Sequence, residues 1–258
     1  MNESESTPFP PGPTTPMPVP VAGAEVPKFL VLFGGTFDPP HRGHVELPIR
    51  VRDELERRLE CPGGGMIVYV PAARSPHKAH GPVASDADRA EMLRRALAGV
   101  DRAEVWTDEV DRAAAAAGGD GEASFTVDTI TRARDWLGAA LGERAPAMRL
   151  LIGADQAVNF HRWRAPREIV RLAPPVVMVR GDLEESGGLG SRMRSSRFWS
   201  RDELDSWRES LVPVGRIDVS ATAVRDALSR QDYGEAGRWL APGVVDLIRE
   251  RGLYQRPE

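Results

Sequence analysis

The chain has 258 residues, 41% of them hydrophobic, which suits one large domain or two small ones with a packed core. Its 34 lysines and arginines against 38 aspartates and glutamates give a net charge of -4, so no overall positive field attracts nucleic acid or an anionic membrane. No apolar run approaches the ~18 residues of a membrane helix, and no basic residue precedes Lys28 as a secretory signal would require. The lone cysteine, Cys61, cannot form an intrachain disulfide, so we expect a cytoplasmic location.

Proline is frequent at the start of the chain, between Thr7 and Pro27. Proline has no backbone N–H to donate, and this stretch offers almost nothing to bury. Residues 1–27 are therefore predicted to be a disordered, proline-rich tail, with docking to a proline-recognising partner as the alternative. The folded domain is predicted to span residues 28–256, with 181–210 as a polar insertion and 220–256 as a C-terminal helical part.

Strands and helices alternate from Phe29 onward. The first strand, Phe29–Phe33, is nearly all apolar and ends at two glycines, as a strand buried on both faces does. Later strands are predicted at Met66–Val70, Glu104–Trp106, Leu150–Gly153, Val176–Val179 and around Arg216–Val219. Helices are predicted at Gly43–Glu60, Asp86–Ala98, Thr126–Leu141 and Arg164–Leu172, after Ser220, and from Pro242 to Gly252. This order predicts a parallel α/β sheet covered on both faces, with ligands at the carboxyl ends of its strands.

Two polar stretches interrupt this alternation. Asp111–Glu122 contains five consecutive alanines and several glycines, which favours a flexible surface loop over a short helix. Gly181–Ser210 is rich in Ser, Gly and Arg and is predicted to be a solvated loop, although Ser200 and Glu203 have the spacing of a helix cap.

The segment Gly34–His44, GGTFDPPHRGH, follows the first strand directly. Two glycines allow a tight turn and a close approach of the backbone to a ligand, and the next helix points its first amides at that place. His41 and His44 lie three positions apart at the helix entrance, where both rings can stabilise charge on a phosphate. A zinc site is the competing interpretation, but no third ligand lies nearby and an anion site explains the glycines better.

A second candidate phosphate-binding element lies near the C-terminus, in Ile217–Arg225. Ser220 can cap a helix while its hydroxyl and the first amides bind phosphate. Arg225, about one turn further on, supplies a planar guanidinium that can donate two parallel hydrogen bonds to a phosphate.

These two elements resemble those of the nucleotidyltransferases that join a phosphorylated substrate to the AMP of ATP. GGTFDPPHRGH looks like their signature, and Ile217–Arg225 is similar to their I-S-x-T-x-I-R element. Further segments look like bacterial nicotinate-nucleotide adenylyltransferases: Pro76–Lys78, Ser124–Thr126, Leu151–Asp155, Trp163 and Gly252–Tyr254. The resemblance covers about Phe29 to Gln255. It implies a Rossmann-like, doubly wound parallel sheet with flanking helices, and direct transfer without a covalent enzyme intermediate.

The resemblance also implies site residues. The catalytic residues would be His41, His44 and Arg225. ATP would be held by Gly34, Gly35, Thr36, Phe37, Gly153, Asp155, Ser220 and Thr222. Nicotinate mononucleotide would be held by Lys78, Thr126, Trp163 and Arg164. Mg²⁺ is implied as the counter-ion of ATP, with no protein ligand named, and neither nucleic acid nor a membrane is an expected partner.

Two positions depart from the family pattern. Phe125 replaces the usual Tyr, and Arg164 stands where an aromatic residue is common. A cationic Arg164 favours nicotinate, the acid, over the amide. Two other functions stay open: adenylyl transfer to another phosphate ester, such as nicotinamide mononucleotide or phosphopantetheine, and a non-catalytic nucleotide-binding module. The sequence predicts no oligomeric state.

Overall fold

A computed structural model of the protein describes residues 15–20, 26–73, 82–115, 124–179 and 187–255. Six parallel strands form one sheet in the order β3-β2-β1-β4-β5-β6. The strands are β1 (Phe29–Gly35), β2 (Gly65–Pro71), β3 (Ala103–Val105), β4 (Ala147–Gly153), β5 (Pro175–Val179) and β6 (Leu211–Pro213). The predicted fold class, a Rossmann-like doubly wound parallel sheet, is confirmed.

Helices occupy both faces of the sheet. They are α1 (Arg42–Arg58), α2 (Asp86–Ala96), α3 (Asp108–Ala115), α4 (Thr126–Leu141), α5 (Ala154–Asn159), α6 (Pro166–Leu172), α7 (Gly187–Ser195), α8 (Arg201–Glu209), α9 (Ala221–Ser229), α10 (Tyr233–Ala236) and α11 (Pro242–Arg251).

Strand β1 shows why the sheet is covered on both sides. Successive side chains of a strand point to opposite faces. Leu30 and Leu32 accordingly pack into the apolar cluster that contains α4, whereas Phe29, Val31 and Phe33 pack into the cluster that contains α1. An unbroken apolar run is what a strand with two buried faces requires.

The strand order reverses between β1 and β4. β1 pairs with β2 on one side and with β4 on the other, so the connections after β1 and β4 leave the sheet in different directions. Such a switch point opens a crevice at the carboxyl ends of the two strands. Gly35 and Gly153, the last residues of β1 and β4, lie at this crevice.

The strand predicted around Arg216–Val219 is wrong. β6 lies earlier, at Leu211–Pro213, and residues 214–220 form no strand. Val212 is fully buried beside β5, whereas Arg216 and Asp218 are exposed. The apolar run Leu211–Val214 marks the true position of the strand, because Val212 and Val214 are the side chains that the sheet buries.

The polar stretch 181–210 is more ordered than predicted. Its described part, 187–210, contains α7 and α8, and buries Leu189, Met193, Trp199, Leu204 and Trp207 in the core. The cap that begins α8 is confirmed, because Glu203 N donates to Ser200 Oγ at 3.2 Å. The favoured loop at Asp111–Glu122 is likewise wrong for its first part, since α3 extends to Ala115, and residues 116–123 lie outside the described residues.

Residues 15–20 also differ from the prediction. Met17 and Val19 are 3% and 6% exposed and pack into the main core, although almost no burial was expected in this segment. Alternate side chains of one extended segment can face the core even where prolines prevent regular pairing. The rest of the predicted tail, 1–14 and 21–25, lies outside the described residues.

Candidate active site

A cavity of about 400 Å³ opens at the crevice between β1 and β4. The β1–α1 connection and the end of β4 form one part of its wall, and α3, α4 and the segment before α6 form another. The cavity brings together nine of the residues predicted from the sequence: Gly34, Gly35, Thr36, His44, Thr126, Gly153, Asp155, Trp163 and Arg164. Lys78 lies outside the described residues.

The turn after β1 requires glycine at position 35. A Cβ there would lie 2.8 Å from Cζ of Phe37, well inside van der Waals contact. Phe37 itself has a φ of 50° and is only 1% exposed, because its ring packs edge-on against Phe33 and Tyr69. The Phe37 side chain is thus a core residue that shapes the loop and does not line the cavity, and its contact with ATP stays a prediction.

The two histidines stack on each other at the start of α1. Their ring centroids are 3.7 Å apart and their planes differ by 16°. The backbone N–H of His41 donates to His44 Nδ1 at 3.3 Å, so in neutral His44 the ring proton is on Nε2. His44 lines the cavity, while His41 is 5% exposed behind it. The arrangement orients His44 as a hydrogen-bond donor.

The start of α9 is tied to the β1–α1 loop. Arg225 Nη1 donates to the backbone oxygen of Asp38 at 2.6 Å, and Nη2 donates to Thr222 Oγ1 at 3.3 Å. Ser220 caps α9, its Oγ accepting from Ala223 N at 3.1 Å. These residues border the loop that carries the histidines rather than the cavity itself, so their contact with phosphate stays a prediction.

The Asp38 carboxylate was not predicted as a site residue, although it organises this loop. Its oxygens accept from Val83 N at 2.8 Å, Ala84 N at 3.2 Å and the Tyr254 hydroxyl at 2.7 Å. Burial, followed by the adjacent carboxylate, raises the pKa of Tyr254, so the phenol stays protonated and donates. The loop is thereby fastened to α2 and to the C-terminus.

Arg89 on α2 is a second residue that the sequence analysis missed. Its side chain is fully buried and donates to the carbonyl oxygens of Thr36 at 2.6 Å and Ala72 at 2.7 Å, and to Asp86 Oδ1 at 2.6 Å. It therefore joins the loop after β1 to the end of β2. The sequence did hold a signal that Arg89 is buried. It lies four residues before Leu93 and therefore on the apolar face of α2.

A carboxyl group lines the cavity on the α3 side. Glu109 Oε1 accepts from Thr129 Oγ1 at 2.6 Å, and both residues border the cavity. Burial raises the pKa of Glu109, opposed by the Thr129 hydroxyl and by the positive charge of Arg132. Neither residue was predicted as a site residue: Glu109 precedes the stretch that was expected to be a loop, and Thr129 lies within the predicted helix Thr126–Leu141.

The cavity mouth carries aromatic rings and an arginine. Trp163 stacks on Phe160, with ring centroids 4.7 Å apart, and keeps part of its surface exposed at the cavity. The Arg164 guanidinium lies 4.8 Å from the centroid of the Phe125 ring and 3.6 Å from Asp128 Oδ2. A cation is thus held beside the cavity by a ring face and a carboxylate.

Among the described residues, the structure has no cluster of three His, Cys, Asp or Glu that could hold a metal ion. Within the same ranges, no helix is long and apolar enough to cross a membrane. Cys61 lies in the loop after α1, and its side chain is buried in the core.

Comparisons with known proteins show the family to which the chain belongs. The cytidylyltransferase-like family model matches residues 32–227. A relative from Marinobacter nauticus, named as a probable nicotinate-nucleotide adenylyltransferase, is 34% identical over 232 residues, which cover 87% of this chain and 95% of the relative. One of the same name from Laribacter hongkongensis is 34% identical over 233 residues, covering 87% and 93%.

A solved structure shares the fold at lower identity. The structure of Plasmodium falciparum nicotinic acid mononucleotide adenylyltransferase complexed with NaAD has a TM-score of 0.56 and 14% identity, covering 88% of this chain and 97% of that one. The match of the family model to residues 32–227 shows that the chain is a nucleotidyltransferase of the cytidylyltransferase-like class. Within that class, identity of 34% over most of both chains shows that this chain belongs to the nicotinate-nucleotide adenylyltransferase family.

Proposed function

We propose that this protein transfers AMP from ATP to nicotinate mononucleotide, giving deamido-NAD and pyrophosphate in NAD biosynthesis. One observation carries the assignment of roles within the site: a single cavity joins the glycine turn and His44 to Thr126 and Trp163. One part of that wall suits a triphosphate and the other an aromatic base. Family membership supplies the reaction class.

The reaction needs positioning and charge neutralisation more than proton transfer. An oxygen of the acceptor's 5′-phosphate attacks the α-phosphorus of ATP and forms the new P–O–P bond. The bond to the bridging oxygen of the β-phosphate breaks, and pyrophosphate leaves with that electron pair. Both reactants are already anions, so no covalent relay through the protein is required.

Histidine and arginine side chains would stabilise the transition state. His44 Nε2–H, oriented by the bond from the His41 backbone to Nδ1, would donate to a phosphate oxygen. His41 would support that ring through the stacked contact and share the charge. Arg225, held beside the loop by the Asp38 carbonyl, would close on the β- and γ-phosphates with Ser220 and the amides that begin α9.

The remaining ATP contacts would come from the switch point of the sheet. Gly34, Gly35 and Thr36 expose backbone to the triphosphate, and Arg89 fixes that backbone through the Thr36 carbonyl. Gly153 and Asp155 would contact the nucleotide from the end of β4. Thr222, whose hydroxyl already accepts from Arg225, completes this set.

The acceptor would bind against the opposite wall. Trp163 would stack on the nicotinate ring, and the amides around Thr126 at the start of α4 would hold its carboxylate. Arg164 adds a positive charge at the mouth, which favours the acid over the amide. Lys78, from residues 74–81 outside the described ranges, would neutralise phosphate charge.

Mg²⁺ would accompany ATP. The cavity wall carries two acidic residues among those described, Glu109 and Asp155, which do not form a dedicated cage. This fits an ion held by phosphates and water, with Asp155 as a nearby carboxylate. The ion would supply charge neutralisation on the triphosphate. We place the reaction in the cytoplasm, without nucleic acid or membrane partners.

Pyrophosphate release by the purified protein with Mg-ATP tests the proposal. Nicotinate mononucleotide, nicotinamide mononucleotide and phosphopantetheine are compared at equal concentration. We expect turnover with the first to exceed the others by at least about tenfold, since an unpaired polar group in a pocket weakens binding by that order. Preference for another acceptor contradicts the acceptor assignment, and no turnover with any of the three supports a non-catalytic module.

A further inference from the structure

Residues 15–20, here called the N-terminal strap, precede the region matched by the family model, which begins at residue 32. Met17 and Val19 of the strap are nevertheless buried in the main core. They share one apolar cluster with Trp106 and with Ile130 of α4, and Ile130 also lines the cavity. The strap is therefore packed against the structure that carries the cavity wall.

Hydrogen bonds join the strap to the start of α3. Trp106 Nε1 donates to the backbone oxygen of Thr15 at 2.8 Å. Thr15 Oγ1 donates to Asp111 Oδ2 at 2.8 Å, and Thr107 Oγ1 donates to the same oxygen at 2.6 Å. The strap thus holds both the residue that follows β3 and the first turn of α3.

Helix α3 in turn forms the acceptor side of the cavity together with α4. Glu109 on α3 accepts from Thr129 on α4, and Asp108 pairs with Arg132 on α4 at 2.6 Å. Thr126, the proposed carboxylate-binding position, begins the same α4. The proposed triphosphate end instead rests on the loop after β1 and on α1, whose residues Phe37, Leu47 and Val51 pack into a different apolar cluster.

We propose that the N-terminal strap is a positioning element of the acceptor pocket. By fixing Trp106 and the first turn of α3, it sets where Glu109 and Thr129 stand, and so controls affinity for nicotinate mononucleotide more than affinity for ATP. No described strap residue lines the cavity, so the strap acts through α3. The inference rests on the proposed function only because that function assigns the acceptor to the part of the cavity formed by α3 and α4.

Two deletions test the strap. Removing residues 1–14 leaves the strap in place and is the matched control, whereas removing residues 1–20 takes it away. We expect the longer deletion to raise the KM for nicotinate mononucleotide about fivefold, as loss of one or two hydrogen bonds predicts, with the KM for ATP within about twofold. Adding a peptide of residues 12–24 in trans should restore the lower KM. Equal KM values in the two deletions, or equal increases for both substrates, overturn the proposal.

A second variant and a second measurement keep the proposal testable if the protein without residues 1–20 does not fold. Trp106→Phe keeps an aromatic ring in the core but loses the donor to Thr15 and part of the ring volume, and it should shift the same KM in the same direction. Hydrogen exchange is measured in parallel: without the strap, amides of α3 should exchange faster while those of α1 do not change. Unchanged exchange in α3 also overturns the proposal. If the full-length protein shows no turnover with nicotinate mononucleotide, the proposed function fails, and the exchange result alone decides whether the strap positions α3.

Discussion

Arg225 Nη1 donates to the backbone oxygen of Asp38 at 2.6 Å, across 187 positions of the chain. This bond places a guanidinium from α9 beside the loop that carries both histidines. It holds together two elements from distant parts of the sequence that are both predicted to bind phosphate. Such preorganisation is what lets charged groups stabilise a transition state without rearranging.

Replacement of this arginine by lysine should reduce kcat strongly. Arg225→Lys keeps the charge but loses the planar fork that bonds the Asp38 carbonyl and Thr222 at once. We expect kcat to fall about 100-fold, the range for loss of one preorganised donor. Arg230→Lys, just past α9 and paired with Glu235 on the surface, is the control and should change kcat less than twofold. Similar kcat values for the two variants contradict a role for Arg225 in phosphate transfer.

Removal of the cavity-facing imidazole should affect chemistry more than binding. His44→Ala loses the Nε2 donor, so kcat is expected to fall about 100- to 1,000-fold while binding of a non-hydrolysable ATP analogue changes little. His161→Ala is the matched control, since its Nδ1 lies 3.1 Å from the Val158 carbonyl and its ring does not line the cavity. Calorimetry and steady-state kinetics measure the two quantities. Full turnover by His44→Ala would show that the chemistry has been assigned to the wrong group.

Loss of the C-terminal phenol should lower stability. Tyr254→Phe removes the donor to the buried Asp38 carboxylate, which keeps its bonds from Val83 and Ala84. The free energy of unfolding should fall by about 1–2 kcal/mol, as for one hydrogen bond to a charged group. Tyr233→Phe removes a hydroxyl that accepts a long bond of 3.5 Å from Gln255 Nε2, and it should change the free energy of unfolding less. Urea denaturation at pH 7 compares them, and equal stabilities would contradict this role for Tyr254.

The raised pKa of Glu109 predicts that the difference in stability between the parent protein and Glu109→Gln depends on pH. Its pKa is raised above the ordinary 4.5, mainly by burial, with Asp108 adding to the rise and Arg132 and Thr129 opposing it. The folded state therefore binds the proton more tightly, and this contribution to stability is present below the unfolded pKa and lost as pH rises through the folded pKa. Glu109→Gln has no such titration, so its stability relative to the parent should rise between pH 4.5 and neutral pH. Urea denaturation across this range tests the sign; a constant difference would contradict it.

Base selectivity should depend on the arginine at the cavity mouth. Arg164→Gln removes the positive charge held over Phe125 and should lower the preference for nicotinate over nicotinamide mononucleotide about fivefold, a modest factor because the side chain is half exposed to water. Arg171→Gln, paired with Glu168 on α6, is the control. The ratio of kcat/KM for the two acceptors is the measurement. An unchanged ratio assigns selectivity to the amides around Thr126 instead.

Sequence reasoning succeeded where the signal is local. The apolar run of β1, the glycines that follow it and the bounds of α4 at Thr126–Leu141 all depend on neighbouring residues, and each was predicted. The helix cap at Ser200 is equally local. Helix α5 at Ala154–Asn159 was missed because a short segment carries too little periodicity to be recognised.

The amino-acid sequence by itself determined the alternating α/β order, the glycine turn and the His41–His44 spacing, because these follow from side-chain volume, backbone freedom and helical periodicity within a few residues. Only the tertiary structure decided that Asp38 would bind Tyr254 216 positions away, that Arg89 would hold the Thr36 carbonyl 53 positions away, and that Thr15 would meet Trp106. Buried polar groups must find partners wherever packing places them, and no local pattern encodes a partner that distant.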